Sequence, residues 1–314
     1  MITASFRDQN MDAPVPVASV RSVVLPASPE RGEDLQVRVS ASATEEELPI
    51  IVFSHGYGSS MDGYAPLVDY WAARGFAVIQ PTHLDAKRLG LAEDDPRRPG
   101  IWRQRVADIE LILDNLDLVE LSLPGLQGRL DRSRIAAAGH SFGGQTTSML
   151  LGARMLGTGD GAGKDMSDRR IKAGILLASG GQGGDDLSDF AREHLPYLNS
   201  VFTHMSTPTL VVAGDNDHSP LTVRGPDWFA DPYFLSPGVK ALLTLYGGEH
   251  MLGGISGYKV TETTDENPAR VALVQQMTSA FLRSLLYPQD TAWSTACASL
   301  REGSNPLGKI EEKC

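Results

Sequence analysis

Several features that mark particular classes of protein are scarce in this sequence of 314 residues. It has two cysteines, Cys297 and Cys314, and both lie within the last 18 residues. Two thiols are too few for a zinc site, and neither lies near a histidine placed to serve in an active site. The sequence therefore argues against a cysteine nucleophile. The two thiols are either free or joined in one disulfide.

Long apolar runs and an excess of basic residues are also missing. No stretch approaches the roughly 18 apolar residues that a membrane span needs. With 28 Lys and Arg against 39 Asp and Glu, the net charge is −11, which does not favour nucleic acid or anionic lipid as a partner. The sequence does not indicate an oligomeric state. The first residues lack the pattern of a secretory signal, which favours a cytoplasmic location. A chain whose signal has been removed would look the same. A disulfide between Cys297 and Cys314 would favour a secreted or periplasmic location.

Strand and helix patterns alternate along most of the chain. The stretches VRSVVLPA and LQVRVSA alternate apolar and polar residues, which predicts an antiparallel pair of half-buried strands. Continuous apolar runs such as PIIVFSHG, FAVIQPTH and PTLVVAGD predict strands buried on both faces, separated by helical patterns. This order predicts an α/β fold with a mostly parallel central sheet and helices on both faces.

No shift in composition marks a second large domain. We expect a flexible arm over residues 1–18, one domain over residues 19–290 and a tail over residues 291–314 that carries both cysteines. Residues 186–205 are predicted to be helical. The glycine-rich stretch 157–163 lacks the Gly-Lys-Ser/Thr ending of a phosphate-binding loop, which favours a surface loop instead.

The stretch AAAGHSFGGQ lies between a predicted strand and a predicted helix. Gly139-His140-Ser141-Phe142-Gly143 has the spacing of a nucleophile elbow, in which a strained serine is exposed on a sharp turn. Glycines on both sides let the backbone segments pass closely. The alternative is an ordinary glycine-rich turn, but the position between strand and helix favours a nucleophilic serine.

A serine hydroxyl is a poor nucleophile until a base removes its proton. Of the seven histidines, His250 in YGGEHMLGG follows the last predicted strand of the parallel sheet, which suits the chain order serine, acid, base. His140 belongs to the turn, and we expect its side chain to point away from the reacting groups. His55 follows an early strand and is expected to shape the site. Structural or surface roles are expected for the others: His83, His194, His204 and His218.

A carboxylate must hold the histidine in the correct tautomer and stabilise its charged form. The stretch LVVAGDNDHSP offers Asp215 and Asp217 at the end of a predicted strand. We favour Asp217, which lies three residues beyond the glycine that ends the strand. Asp215 is the alternative, although aspartate in a turn is more often a capping residue.

An oxyanion hole needs two backbone N–H groups. One is expected from Phe142, directly after Ser141 and at the positive end of a helix. The other is expected from Tyr57 in HGYGSS, where the flanking glycines Gly56 and Gly58 let the amide turn inward.

With these residues assigned, the chain resembles α/β-hydrolases of the serine esterase type over about residues 48–286. FSHGYGSS, YWAARGFAVIQPTHLD and GHSFGG are similar to the plasma-type platelet-activating-factor acetylhydrolases. GHSFGG and AGDNDHSP also resemble the bacterial cutinases and polyester hydrolases, which are dienelactone-hydrolase-like. The resemblance implies the α/β-hydrolase fold and hydrolysis of carboxylic esters, with no metal and no organic cofactor.

The two branches differ in ways that bear on the acid and the substrate. The acetylhydrolases carry their acid just after the strand that follows the nucleophile's helix, where this chain reads LLASGG without a carboxylate. That favours Asp217, as in the cutinases. The tail CASLREGSNPLGKIEEKC is similar to a segment of the cutinase branch, which implies a disulfide between Cys297 and Cys314. The cutinase tryptophan near that strand end is missing here, and longer connecting segments favour a small or medium ester.

These assignments predict a serine carboxylic ester hydrolase of the esterase or cutinase type that works through an acyl-enzyme. An acyltransferase or a thioesterase would use the same three residues. A ligand-binding protein on the same scaffold is the alternative outside enzymes. The covering segments also carry aromatic residues that could line a substrate pocket, although large apolar side chains are more often core: Trp102, Trp228, Phe229, Tyr233 and Phe234.

Overall fold

A computed structural model describes residues 15–44, 46–157, 163–257, 260–304 and 306–313. Most of the predicted N-terminal arm lies outside the described residues. So do residues 158–162 of the glycine-rich stretch and Cys314, which the predicted disulfide requires.

Parallel pairing dominates the strand arrangement. The strands are β1 (Val17–Leu25), β2 (Leu35–Ser42), β3 (Leu48–Ser54), β4 (Ala77–Pro81), β5 (Leu130–His140), β6 (Arg154–Met155), β7 (Ile171–Leu177), β8 (Ser200–Val201), β9 (Thr209–Gly214), β10 (Val239–Leu245) and β11 (Gly308–Glu312). In the described part of the chain, nine of them form one sheet in the order β1-β2-β4-β3-β5-β7-β9-β10-β11, while β6 pairs with β8. The six strands from β4 to β10 run parallel, and β1, β2 and β11 join antiparallel.

The apolar runs of the sequence become the centre of this sheet. Every residue of β3, β4 and β9 is buried, as expected for strands covered on both faces. The connections between the strands of the sheet carry the helices: α1 (Ala65–Ala73), α2 (Ile101–Asp114), α3 (Leu116–Ser122), α4 (Phe142–Leu150), α5 (Asp189–His194), α6 (Asp231–Leu235), α7 (Pro268–Leu286) and α8 (Ala292–Glu302).

Two pairs of helices cover the sheet, and each pair is joined by a buried hydrogen bond. Trp71 Nε1 on α1 donates to Thr278 Oγ1 on α7 at 3.0 Å. Arg105 Nε on α2 donates to Thr146 Oγ1 on α4 at 3.0 Å. The prediction of a mostly parallel sheet with helices on both sides and an antiparallel N-terminal strand pair is confirmed.

The longest described helix is α7, with 19 residues. Asn267 caps it by accepting from the backbone N–H groups of Ala269 and Arg270, and Pro268 occupies the first turn, where its missing N–H is not needed. Across the described ranges, no helix combines the length and the apolar character needed to cross a membrane.

One expectation about a connecting segment needs correction. Residues 186–205 are not one helix, because helical structure there is limited to α5 and short single turns. Pro196 disfavours a helical conformation at the preceding residue, and Leu195 has φ −130° and ψ 55°. Within the predicted tail, α8 packs on α7 and β11 extends the sheet beside β10. At the other end, β1 begins at Val17, within the predicted arm.

Candidate active site

Ser141 lies on a tight turn between β5 and α4. Its backbone has φ 55° and ψ −121°, a conformation that side chains other than glycine rarely adopt. A Cβ on Gly139 would lie 2.1 Å from the Gly143 carbonyl oxygen, and one on Gly143 would lie 1.9 Å from the Ser54 carbonyl oxygen. The two glycines therefore permit a contact between backbones that fixes the strained turn.

His250 bridges the serine and a buried carboxylate. Its Nε2 lies 2.9 Å from Ser141 Oγ, and its Nδ1 lies 2.9 Å from Asp217 Oδ2. Asp217 is 0% exposed, whereas the His250 side chain is partly open to solvent. The carboxylate fixes Nδ1 as the protonated nitrogen, so Nε2 is free to accept the serine proton.

The two aspartates after β9 have different surroundings. Asp215 is exposed, and its Oδ1 accepts a hydrogen bond from the Gly247 N–H at 2.6 Å, within the turn after β10. Asp217, two residues later, is the one that reaches His250. The contacts of Asp215 match the capping role weighed for it from the sequence.

The loop that carries His250 is fastened by a residue that sequence analysis missed. Asp265 Oδ2 accepts from the backbone N–H groups of Glu249 and Gly253, each at 2.9 Å, on either side of His250. Arg270 Nη1 binds the same carboxylate at 3.2 Å and also donates to its backbone carbonyl. These hydrogen bonds hold the backbone on both sides of His250.

A second set of buried hydrogen bonds connects this loop with the loop after β3. His140 Nε2 lies 2.8 Å from the His250 carbonyl oxygen, which can only accept, so Nε2 carries the proton. His140 Nδ1 then accepts from the Tyr64 hydroxyl at 2.8 Å, and that hydroxyl accepts from the Gly56 N–H at 3.0 Å. The expectation that His140 points away is only partly right, because its ring lies under the His250 backbone.

The buried histidines are neutral at ordinary pH. Burial, together with the nearby charge of His250, lowers the pKa of His140 to about 3. Burial and the charge of Arg105 lower the pKa of His55 to about 4. His83 is fully buried between Ser54 and Asp108, while the remaining three histidines with expected surface roles are exposed.

The amides proposed for an oxyanion hole belong to neighbouring segments. In the described part of the chain, neither the Tyr57 nor the Phe142 N–H donates to a protein acceptor. The rings of Tyr57 and Phe142 are 6.2 Å apart, and Phe142 also contacts Tyr197, at 5.6 Å between centroids. Tyr197, which sequence analysis did not single out, therefore adds to an aromatic rim beside Ser141.

The aromatic residues predicted for a substrate pocket differ in burial and in their distance from His250. Phe229 is buried, and its ring centroid lies 5.7 Å from that of His250. Trp102, Trp228 and Tyr233 belong to the hydrophobic core, and Phe234 is 61% exposed. Phe229 is thus the member in ring contact with His250, and the pocket assignment of all five residues stays a prediction.

A model of the alpha/beta hydrolase family matches residues 51–303, far more than half of the chain. The chain belongs to the alpha/beta hydrolase family. Within the residues that the structure describes, no group of three histidine, cysteine or acidic side chains is arranged to hold a metal ion in this hydrolase.

Three curated proteins similar to this hydrolase are named platelet-activating factor acetylhydrolase. The protein of Cavia porcellus is 25% identical over 202 residues, which is 53% of this chain and 43% of that protein. That of Bos taurus is 26% identical over 226 residues, which is 58% of this chain and 47% of that protein. That of Canis lupus familiaris is 23% identical over 289 residues, which is 77% of this chain and 58% of that protein. The hydrolase spans about half the length of these relatives, and the resemblance predicted from its motifs is confirmed.

We expect Gly143→Ala to disrupt the hydrolase. The new methyl group would lie 1.9 Å from a backbone oxygen of β3, which cannot move as a side chain could. The free energy of unfolding in urea should fall by about 3 kcal/mol or more, the upper end for overpacking. Gly100→Ala is the matched control, because nothing lies within 4 Å of its added Cβ and its φ is −95°. Equal stability of the two variants would contradict the close contact.

Acid should destabilise the folded hydrolase well before its carboxylates protonate. His55 and His140, with pKa values of about 4 and about 3 when folded, bind protons near pH 6.5 once the chain unfolds. Below that pH the unfolded state binds protons that the folded state does not, so the free energy of unfolding falls. Between pH 7 and pH 5 each histidine should contribute a loss of about 2 kcal/mol, measured by urea unfolding.

Substitution separates these histidines from other titrating groups. His140→Gln should flatten the dependence of unfolding free energy on pH. A parent protein with constant stability from pH 7 to pH 5 would refute the neutral buried state of the two rings.

Proposed function

We propose that this hydrolase is a serine carboxylic ester hydrolase with Ser141 as nucleophile, His250 as base and Asp217 as acid. The observation that carries the proposal is the position of His250, whose two ring nitrogens lie 2.9 Å from Ser141 Oγ and 2.9 Å from Asp217 Oδ2. A core histidine would need neither a strained serine nor a buried aspartate as its partners. Family membership and the names of the similar proteins support an ester hydrolase as well.

The geometry supports a reaction in two steps. Ser141 Oγ attacks the ester carbonyl carbon while its proton passes to His250 Nε2. The tetrahedral intermediate collapses, the alcohol leaves with that proton, and an acyl-enzyme remains. Water then attacks the acyl carbon while His250 takes its proton, the bond from that carbon to Ser141 Oγ breaks, the carboxylic acid leaves, and Oγ receives the proton from His250. Asp217 stabilises the charged imidazole in both steps.

In this mechanism the Tyr57 and Phe142 N–H groups bind the oxyanion. The Phe142 N–H lies at the N-terminus of α4, where the helix dipole favours negative charge. The Tyr57 N–H lies in the loop after β3. The last residue of β3, Ser54, contacts Gly143 at the start of α4. Preorganised amides of this kind stabilise the transition state, because they need no reorientation as charge develops.

We infer a small or medium ester as substrate. The similar proteins are named as acetylhydrolases, which favours a short acyl group. The aromatic rim of Tyr57, Phe142 and Tyr197 on one side of the serine, and Phe229 against His250, leaves apolar surface for a substrate. An acyltransferase or thioesterase would use the same acyl-enzyme and differ in the acyl donor or in the acceptor that attacks it.

Hydrolysis of p-nitrophenyl esters from acetate to palmitate tests this proposal. We expect turnover that is highest for short or medium acyl chains. Ser141→Ala should lower kcat/KM by about 10⁴-fold or more, because the nucleophile is lost while the fold remains. Release of p-nitrophenol measures the rate, and circular dichroism checks the fold of the variant. Absence of turnover with every ester, from folded protein, would favour a selective transferase or a ligand-binding protein.

The two aspartates after β9 provide a matched pair of variants. Asp217→Asn should lower kcat by about 10⁴-fold, because the amide stabilises the wrong tautomer of His250 and no longer offsets its charge. Asp215→Asn changes the same charge two residues away and should keep kcat within a few fold. Steady-state kinetics on the best ester distinguish them. A greater loss in Asp215→Asn would reassign the acid.

A further inference from the structure

A fully buried arginine on α2 lies beneath the proposed oxyanion hole. The guanidinium of Arg105 is 0% exposed, and its Nη1 donates to Asp85 Oδ1 at 2.6 Å. Its Nη2 donates to the backbone carbonyl of His55 and to Ser54 Oγ. Burying two charged groups costs free energy. Mutual attraction and hydrogen bonds to neighbouring groups must offset that cost, and Arg105 makes several of them.

Asp85 extends these contacts to the far side of Tyr57. Its second oxygen, Oδ2, accepts from the Gly58 N–H at 3.0 Å. The pair therefore holds the carbonyl two residues before Tyr57 and the amide one residue after it. Burial tends to raise the pKa of Asp85, but the charge of Arg105 and smaller effects that include the hydrogen bond from the Gly58 N–H together outweigh it, and the pKa falls to about 2. The carboxylate is thus ionised at neutral pH.

The same guanidinium reaches the other proposed oxyanion donor. Its carbon lies 4.5 Å from the centroid of the Phe142 ring, over which it stacks. Its Nε donates to Thr146 Oγ1, one helical turn further along α4, and that hydroxyl donates to the Phe142 carbonyl at 3.0 Å. One planar group thus contacts both segments that supply the proposed N–H donors.

We propose that Arg105, together with Asp85, is a positioning residue that sets the spacing and direction of the Tyr57 and Phe142 amides. This inference rests on the proposed function. Neither side chain touches the reacting atoms, and both act through the backbone that they hold. Lysine could not replace Arg105, because an ammonium group has no planar fork to bind several acceptors while stacking on a ring.

The test compares Arg105→Lys with the parent protein on the best ester and with a trifluoromethyl ketone that mimics the tetrahedral intermediate. We expect kcat to fall by about 10–100-fold with KM within threefold, since a displaced oxyanion donor is lost mainly in the transition state. The inhibition constant of the ketone should rise in proportion to the loss of kcat/KM. A merely structural role would lower the amount of folded protein without changing that affinity.

Two further variants keep the test decisive. Asp85→Asn has the same shape as the native side chain and should show a smaller loss of the same kind, even if Arg105→Lys fails to fold. Arg31→Lys is the matched control, because Arg31 is also buried and paired with an aspartate, Asp108, but binds backbone carbonyls outside the loop after β3. It should lose stability and keep kcat and ketone affinity within about threefold.

The outcomes separate this inference from the proposed function. If folded Arg105→Lys and Asp85→Asn keep the kcat and ketone affinity of Arg31→Lys, the positioning role is refuted while ester hydrolysis stands. If the parent protein hydrolyses no ester and binds no ketone, the proposed function itself fails. A parallel loss of kcat and ketone affinity in the two variants, with KM retained, is the result that supports the inference.

Discussion

The backbone at the start of α4 touches the backbone at the ends of β3 and β5, and these contacts hold the turn that carries Ser141. They exist because Gly139 and Gly143 have no side chains, where a Cβ would meet backbone atoms at 2.1 and 1.9 Å. A residue held at φ 55° and ψ −121° is strained by about 1–3 kcal/mol, and such strain persists only where the surroundings determine it. The strands β3 and β7, which flank β5 and are buried along almost their whole length, supply that constraint.

Loops would ordinarily be the least constrained part of such a site, but here they are joined to one another. The Tyr64 hydroxyl and the His140 ring link the loop after β3 to the His250 backbone, and Asp265 holds the amides on both sides of His250. These bonds are buried or partly buried, where breaking one leaves a polar group without a partner and is therefore costly. The loops that carry the candidate residues are therefore held by one another as well as by the sheet.

Much of this arrangement could be predicted, because it is encoded locally. Continuous apolar runs predicted the buried parallel strands, the glycine spacing around Ser141 predicted the elbow, and the chain order predicted that Asp217 and His250 would come together. Local patterns were less informative where a single residue overrides them, as Pro196 does for the helix expected over residues 186–205. The strand formed by residues 308–312 was missed because it has little apolar character.

The contacts that hold the loops were not predictable in the same way, because they join distant parts of the chain. Tyr64 and His140 are 76 positions apart, and Arg105 and His55 are 50 apart. A weak signal did exist for Arg105, which lies four residues before Ile109 and seven before Ile112 on the buried stripe of α2. A charged residue at a core position of a helix indicates a buried partner, but the sequence does not say which one.

The position of β10 also bears on how the protein is made. Ser141 and His250 are separated by 109 positions, and β10, which leads to His250, is bordered by β9 on one side and by β11 on the other. During synthesis the elbow leaves the ribosome long before residues 308–312 do. Until those residues emerge, β10 has a bare edge on which another chain could pair. A nascent chain at that stage has the strand that leads to His250 paired on one edge only, and is most open to misassembly in that interval.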